Sequence, residues 1–191
     1  MESCESHATT NHSMPEGERP GSLTRAIRHV GDRGLFRGHA LNAIDAKGRV
    51  AIPANIRKTI ESNSGQLSFV IGKREGDPCL IGYDQGWAAT LKSELRTEEA
   101  RERDAGRAFD KNNLNRRAFG NTDDVVFDAS GRFIMPKFFR DKAQIGDWVL
   151  FLGTADDFEM WNPHLLIATP DVDEETKDLA RYLLAERKVA L

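Results

Sequence analysis

Cysteine is scarce in this chain: two in 191 residues, Cys4 and Cys79. They lie far apart, and Cys4 falls in a stretch with the composition of a tail. That argues against a structural disulfide and fits a cytosolic protein, bacterial or eukaryotic. Long apolar runs are missing too. Nothing approaches the ~18 apolar residues needed to cross a bilayer, and Met1 to Pro20 has no apolar core of a signal peptide. Positive charge is not in excess. The net charge is −3, so the chain as a whole has no basic footprint for nucleic acid. The five histidines (His7, His12, His29, His39 and His164) show no His-x3-His spacing for a metal. The stretch GKREGDPC, residues 72–79, lacks the Gly-Lys-Ser/Thr of a phosphate loop. No nucleophile motif is present, and the acid pairs Asp123/Asp124 and Asp156/Asp157 read as solvated loop charges. The expectation is a non-enzyme with no cofactor and no metal.

What is present is a soluble globular composition, 39% apolar and 30% charged, long enough for one medium domain or two small ones. The charge is unevenly spread. Between Leu35 and Ile60, Arg37, Lys47, Arg49, Arg57 and Lys58 face one acid, Asp45. From Asp128 to Ile145 four basic residues face two acids. These basic islands coincide with an internal repeat. Ile44–Lys58 reads IDAKGRVAIPANIRK, and Phe127–Asp141, 83 positions later, reads FDASGRFIMPKFFRD. Six of the fifteen positions are identical, and most of the others exchange one apolar residue for another.

The first 34 residues, rich in Ser, Thr, Glu, Gly, Pro and His, read as a disordered leader. Order is expected from about Phe36. A strand leads to Asp45, DAKG turns, RVAI forms a second strand, and Pro53 opens a helix carrying Ile56 and Ile60 on one face. LSFVIG and CLIGY read as a hairpin. Trp87, Leu91 and Leu95, then Phe109, Leu114 and Phe119, give a helical apolar stripe, with a break expected between Thr97 and Arg103. The cycle then restarts: strand, DASG turn, RFIM strand, helix from Pro136, hairpin WVLFLG/FEMW, and an amphipathic tail helix using Leu179, Tyr182 and Leu183. The expected segments are a leader (1–34), a first β-rich domain (39–86), connecting helices (87–121), a second β-rich domain (122–165) and a C-terminal helix (170–191).

In the repeated phrase, Asp45 and Asp128 can accept turn N–H groups. Gly48 and Gly131 sit where a tight turn needs positive φ. All four are assigned to turn structure. Arg49 and Arg132 admit two readings. In the plainer one each is the return arm of a hairpin and pairs back to its Asp. In the functional one each projects from a rigid tip toward phosphate or a guanine edge. Lys47, at the very tip, has no evident packing role.

With the doubled phrase in view, LFRGHALNAIDAKGRVAIPANIR resembles the start of the MraZ family of bacterial transcriptional regulators, built from two SpoVT-AbrB-type domains in one chain. The resemblance rests on Phe36-Arg37-Gly38, on Asp45/Arg49 and Asp128/Arg132, and on the late Phe158–Trp161; it covers Leu35 to about Pro170. It implies an α+β fold in which tandem AbrB-like halves, of double-split β-barrel type, form an intrachain pseudo-dimer with added helices between and after them. It implies a homo-oligomeric ring, an octamer or larger. The expected partner is double-stranded DNA, at direct promoter repeats upstream of the division and cell-wall gene cluster, in the cytoplasm and nucleoid and away from membranes. By this resemblance Arg49 is the main DNA contact, with Lys47 and Arg37 beside it in the first copy and Arg132 matching in the second. Two features depart from the family. Ser130 stands at the second tip, and the leader has no family counterpart, which suggests an upstream-misassigned start or a lineage-specific tail. The rival expectation is an antitoxin or protein-assembly module on the same fold, although the fused copies and a helical C-terminus fit it less well.

Overall fold

The computed structural model describes residues 33–190 apart from 107 and 109. The expected leader, through residue 32, and Phe109 of the expected helical stripe lie outside the described residues. Arg33 and Gly34, assigned to the leader by composition, belong to the folded body. The Arg33 guanidinium pairs with the buried carboxylate of Asp84, while Gly34 exchanges two hydrogen bonds with the Asn63 side-chain amide, at 2.9 and 3.0 Å.

In chain order the first half supplies β1 (His39–Ala43), β2 (Arg49–Ala51), α1 (Ala54–Ser64), β3 (Ser68–Lys73) and β4 (Leu80–Tyr83). The connection is α2 (Gln85–Asp104), α3 (Lys111–Asn115) and a π-type turn at Arg116–Gly120. The second half supplies β5 (Thr122–Val126), β6 (Arg132–Ile134), α4 (Lys137–Lys142), β7 (Trp148–Gly153) and β8 (Phe158–Trp161), followed by α5 (Pro163–Ala168) and α6 (Glu174–Glu186). Pro53 and Pro136 each stand as the extended residue before a helix, where a missing N–H costs nothing. Helix α2 does not break between Thr97 and Arg103. That stretch holds no breaker and carries the turn-spaced pairs Glu98–Arg101 and Glu99–Arg103, so the helix runs on until Gly106 takes φ +68°.

The strands form an antiparallel six-stranded sheet, β1-β7-β8-β4-β3-β5, and a separate two-stranded ribbon, β2-β6. Exchanging each strand for its counterpart in the other half reproduces the same orders, reversed. The expected β3–β4 and β7–β8 hairpins are present. The expected β1–β2 and β5–β6 hairpins are not. β1 pairs with β7, β3 with β5, and β2 with β6, so the ladders cross between the halves. The physical reason is burial. Val50 and Phe133, directly opposite in the ribbon, turn inward onto a core shared by both halves, which includes Ile56, Ile60, Phe69, Phe139, Phe151 and Phe158. Phe69 of the first half meets Phe133 edge-on at 5.1 Å and Phe158 at 5.4 Å.

A second apolar cluster, with Leu41, Leu150, Trp161, Leu166, Ala180 and Leu184, seats α5 and α6 against the sheet. Cys79 lies within it as a free thiol whose pKa burial pushes upward. Among the described residues no helix is long and apolar enough to cross a membrane, and no group of three acids, histidines or cysteines is placed to hold a metal.

Candidate nucleic-acid interface

Each repeated phrase builds the same local turn. Asp45 O accepts from Gly48 N–H at 2.8 Å, and Asp45 N–H donates to Arg49 O at 3.0 Å. The Asp45 carboxylate takes the N–H groups of Lys47 and Arg49, both at 2.9 Å. In the second copy Asp128 repeats all four bonds, at 2.8–2.9 Å, to Gly131, Arg132 and Ser130. Gly48 and Gly131 adopt φ of +79° and +78°, so the glycine is required on conformational grounds.

The turns do not stand alone. Met135 N–H donates to the Gly48 carbonyl at 2.9 Å, and Ile52 N–H donates to the Gly131 carbonyl at 2.8 Å. Each glycine thus accepts from the residue before the proline of the other copy. Arg57, leaving α1, reaches the Ala129 carbonyl of the second turn at 3.1 Å and packs over Gly131. Its counterpart Arg140 passes near Gly48 and donates to the carbonyls of Ile145 and Gly146 at 3.0 and 2.9 Å. These two arginines are identical in the repeat, and that identity was the available signal of their supporting role. The repetition of the phrase therefore has a structural cause: two turns lean reciprocally on each other's helix starts.

The ribbon between the turns has two faces. Val50 and Phe133 fill the inner one. Alternation then places Arg49, Ala51, Arg132 and Ile134 on the outer one, with Arg49 directly opposite Ile134 and Ala51 opposite Arg132. Both arginines line both grooves that flank the ribbon. The structure therefore brings Arg49 and Arg132, 83 positions apart in the chain, onto one surface. Lys47 stands exposed at the first tip. Arg37 is not brought there. It precedes β1 at the end that meets Gly153 of β7, whereas the turn leaves the opposite end, where Ile44 N–H donates to Asp147 O at 2.8 Å.

The two arginines differ in restraint. Arg49 Nε donates to Asp45 Oδ2 at 2.6 Å, as the hairpin-pairing reading expects. The Arg49 amide, with its guanidinium next, holds the Asp45 carboxyl below its usual pKa. Arg132 does not pair back to Asp128. Among the described residues its guanidinium has no hydrogen-bond or ion-pair partner, and the residue is exposed. A pair of exposed arginines on a rigid two-stranded ribbon, one tethered and one free, suits bidentate recognition of phosphate or guanine.

Comparison with known proteins finds relatives that cover most of the chain. The family model described as "MraZ protein, putative antitoxin-like" matches residues 118–165. A protein named "Transcriptional regulator MraZ" from Azotobacter vinelandii is 31% identical over 140 residues, 73% of this chain and 87% of its own length. One of the same name from Pseudomonas savastanoi pv. phaseolicola is 35% identical over 141 residues, with the same coverage.

Proposed function

The chain belongs to the MraZ family, and from that premise we propose that it is a sequence-specific DNA-binding regulator of transcription that presents the β2–β6 ribbon to double-stranded DNA. The observation that carries this reading is the outer face of the ribbon, where two repeats converge to place Arg49 and Arg132 together with Lys47 at one tip. A two-stranded ribbon fits the width of a B-DNA major groove, and arginine can bridge guanine O6 and N7. The relatives carry the name of regulators and not of enzymes.

In the finer form of the proposal, residues 39–86 and 122–165 are AbrB-like halves of a double-split barrel that acts as an intrachain pseudo-dimer. The strand order that survives exchange of the halves supports this. The chain acts in the cytoplasm and nucleoid as a ring-like homo-oligomer, an octamer or larger, on direct repeats upstream of the division and cell-wall gene cluster. Arg49 is the principal contact, Lys47 and Arg132 assist, and Arg37 contributes only long-range charge.

The test is selection of duplexes from a randomised pool by the full chain, then titration of Arg49→Ala and Arg132→Ala against the enriched duplex with parallel thermal melts. A lost bidentate guanine contact weakens binding by about 1–3 kcal/mol per site. Arg49→Ala is expected to abolish specific binding with little change in Tm, and Arg132→Ala to weaken it less. If Arg49→Ala binds as the parent does, or its loss of binding follows unfolding, Arg49 is only a turn clamp. A second reading, an antitoxin or assembly module on the same fold, draws on the antitoxin-like description of the matching family model. It would show as a stoichiometric toxin complex in place of duplex enrichment.

A further inference from the structure

The two ends of the ribbon are not equivalent, and the difference is apolar. The repeat maps Ala43 onto Val126 and Ala51 onto Ile134. One flanking groove, about 210 Å³, is therefore lined by Ala43 and Ala51, while the other, about 390 Å³, is lined by Val126 and Ile134. Both aliphatic side chains face solvent, Val126 at 73% and Ile134 at 62% exposure. Ile134 is held in place: its Cγ2 methyl lies beside Gly48, and its ladder partner is Arg49. Branching at Cβ restricts χ1 of both residues, so their methyl groups form a stiff surface.

A lone exposed aliphatic residue needs no explanation. Here two flank the second turn, and the same groove contains Arg49 and Arg132, the latter without a partner among the described residues. A protein surface docked on it would have to bury the Arg132 charge and supply an acid to match. Asp128, which also lines the groove, is occupied by the N–H groups of its own turn, and duplex DNA answers both the arginines and the aliphatic pair. Its phosphates and guanine acceptors meet the arginines, and the C5-methyl of thymine is the apolar feature exposed in its major groove. Resting on the DNA-binding reading above, we propose that Val126 and Ile134 form a thymine-methyl pocket adjoining the Arg49 base contact. The ribbon then reads its two ends differently, with a methyl-sensing second half and an alanine-lined first half.

The experiment uses the duplex that the full chain enriches from a randomised pool, resynthesised with deoxyuridine in place of thymidine, which removes only the methyl groups. Burying one methyl is worth about fourfold in affinity, so uracil is expected to weaken the parent by about 4–15-fold for one or two contacted methyls. The Val126→Ala/Ile134→Ala double variant is expected to bind the thymine duplex as weakly as the parent binds the uracil duplex, and to lose its sensitivity to uracil. Equal binding of both duplexes by the parent overturns the proposal, as does a variant that keeps full uracil sensitivity. A variant that sediments as a smaller species while the parent ignores uracil also overturns it and assigns the patch to a second copy of the chain. Failure to enrich any duplex is a separate result, which removes the DNA-binding reading itself.

Discussion

Asp45 and Asp128 occupy the same place in the same turn, yet only Asp45 also holds its arginine. A carboxylate that accepts two amide N–H groups and a guanidinium N–H is stabilised in its charged form, which lowers its folded-state pKa. A depressed carboxyl pKa contributes stability that is present above the unfolded value, 3.8, and lost as pH falls through the folded value. The Tm advantage of the parent over Asp45→Asn is therefore expected to be constant near neutrality and to shrink once the pH falls below about 4. Melts of both proteins from pH 7 down to pH 3 check this; an advantage that grows on acidification would reverse the assignment. The same carboxylate sets the rotamer of Arg49, so Asp45→Asn should also weaken DNA binding at neutral pH by freeing a side chain that is otherwise aimed in advance.

At the scale of elements, the fold depends on turns that support one another across the repeat. Gly48 and Gly131 share a left-handed conformation, which costs a residue bearing Cβ about 1–2 kcal/mol. Their surroundings differ. A Cβ at Gly48 would meet nothing nearer than 3.6 Å, whereas at Gly131 it would lie 3.1 Å from Arg57 Cδ and displace the side chain that holds Ala129 O. Both alanine variants should lower Tm by a few degrees, Gly131→Ala more than Gly48→Ala; equal shifts would remove the Arg57 contact from the account. The turn was legible in the sequence because Asp, Gly and the following Arg each have a local reason to be there. So were the strands RVAI and RFIM, the helices after Pro53 and Pro136, and the β3–β4 and β7–β8 hairpins. The partner of each strand was not. Alternation tells that Val50 and Phe133 face a core, but not that they face each other, because pairing between residues 83 positions apart is decided by a core both halves must fill. For the same reason Ile134 read as one more apolar strand residue. Its exposure follows from the inward turn of Phe133, and the pairing with β2 that sets that turn is non-local.

At the scale of the molecule, charge limits what one chain can do. Its net charge is −3, and the positive surface of the ribbon consists of Arg49, Arg132 and Lys47, one arginine already committed to Asp45. Each phosphate neutralised releases about one counterion, so three cations give a shallow salt dependence and weak binding at physiological ionic strength. Linking several ribbons in one assembly changes the arithmetic. The second and later contacts become intramolecular, and avidity can exceed single-site affinity by about 10²–10⁴ if the spacing of ribbons matches the spacing of sites. The expectation is a homo-oligomer whose affinity for a duplex with several enriched sites in tandem falls by at least about 10²-fold when all but one are scrambled. The log-affinity against log-salt slope should become shallower in the same step, since fewer phosphates are engaged at once. Sedimentation at the binding concentration and titrations at several salt concentrations test both halves. A monomer that binds one site as tightly as several, with an unchanged slope, would show that a single ribbon suffices and that the assembly has no part in recognition.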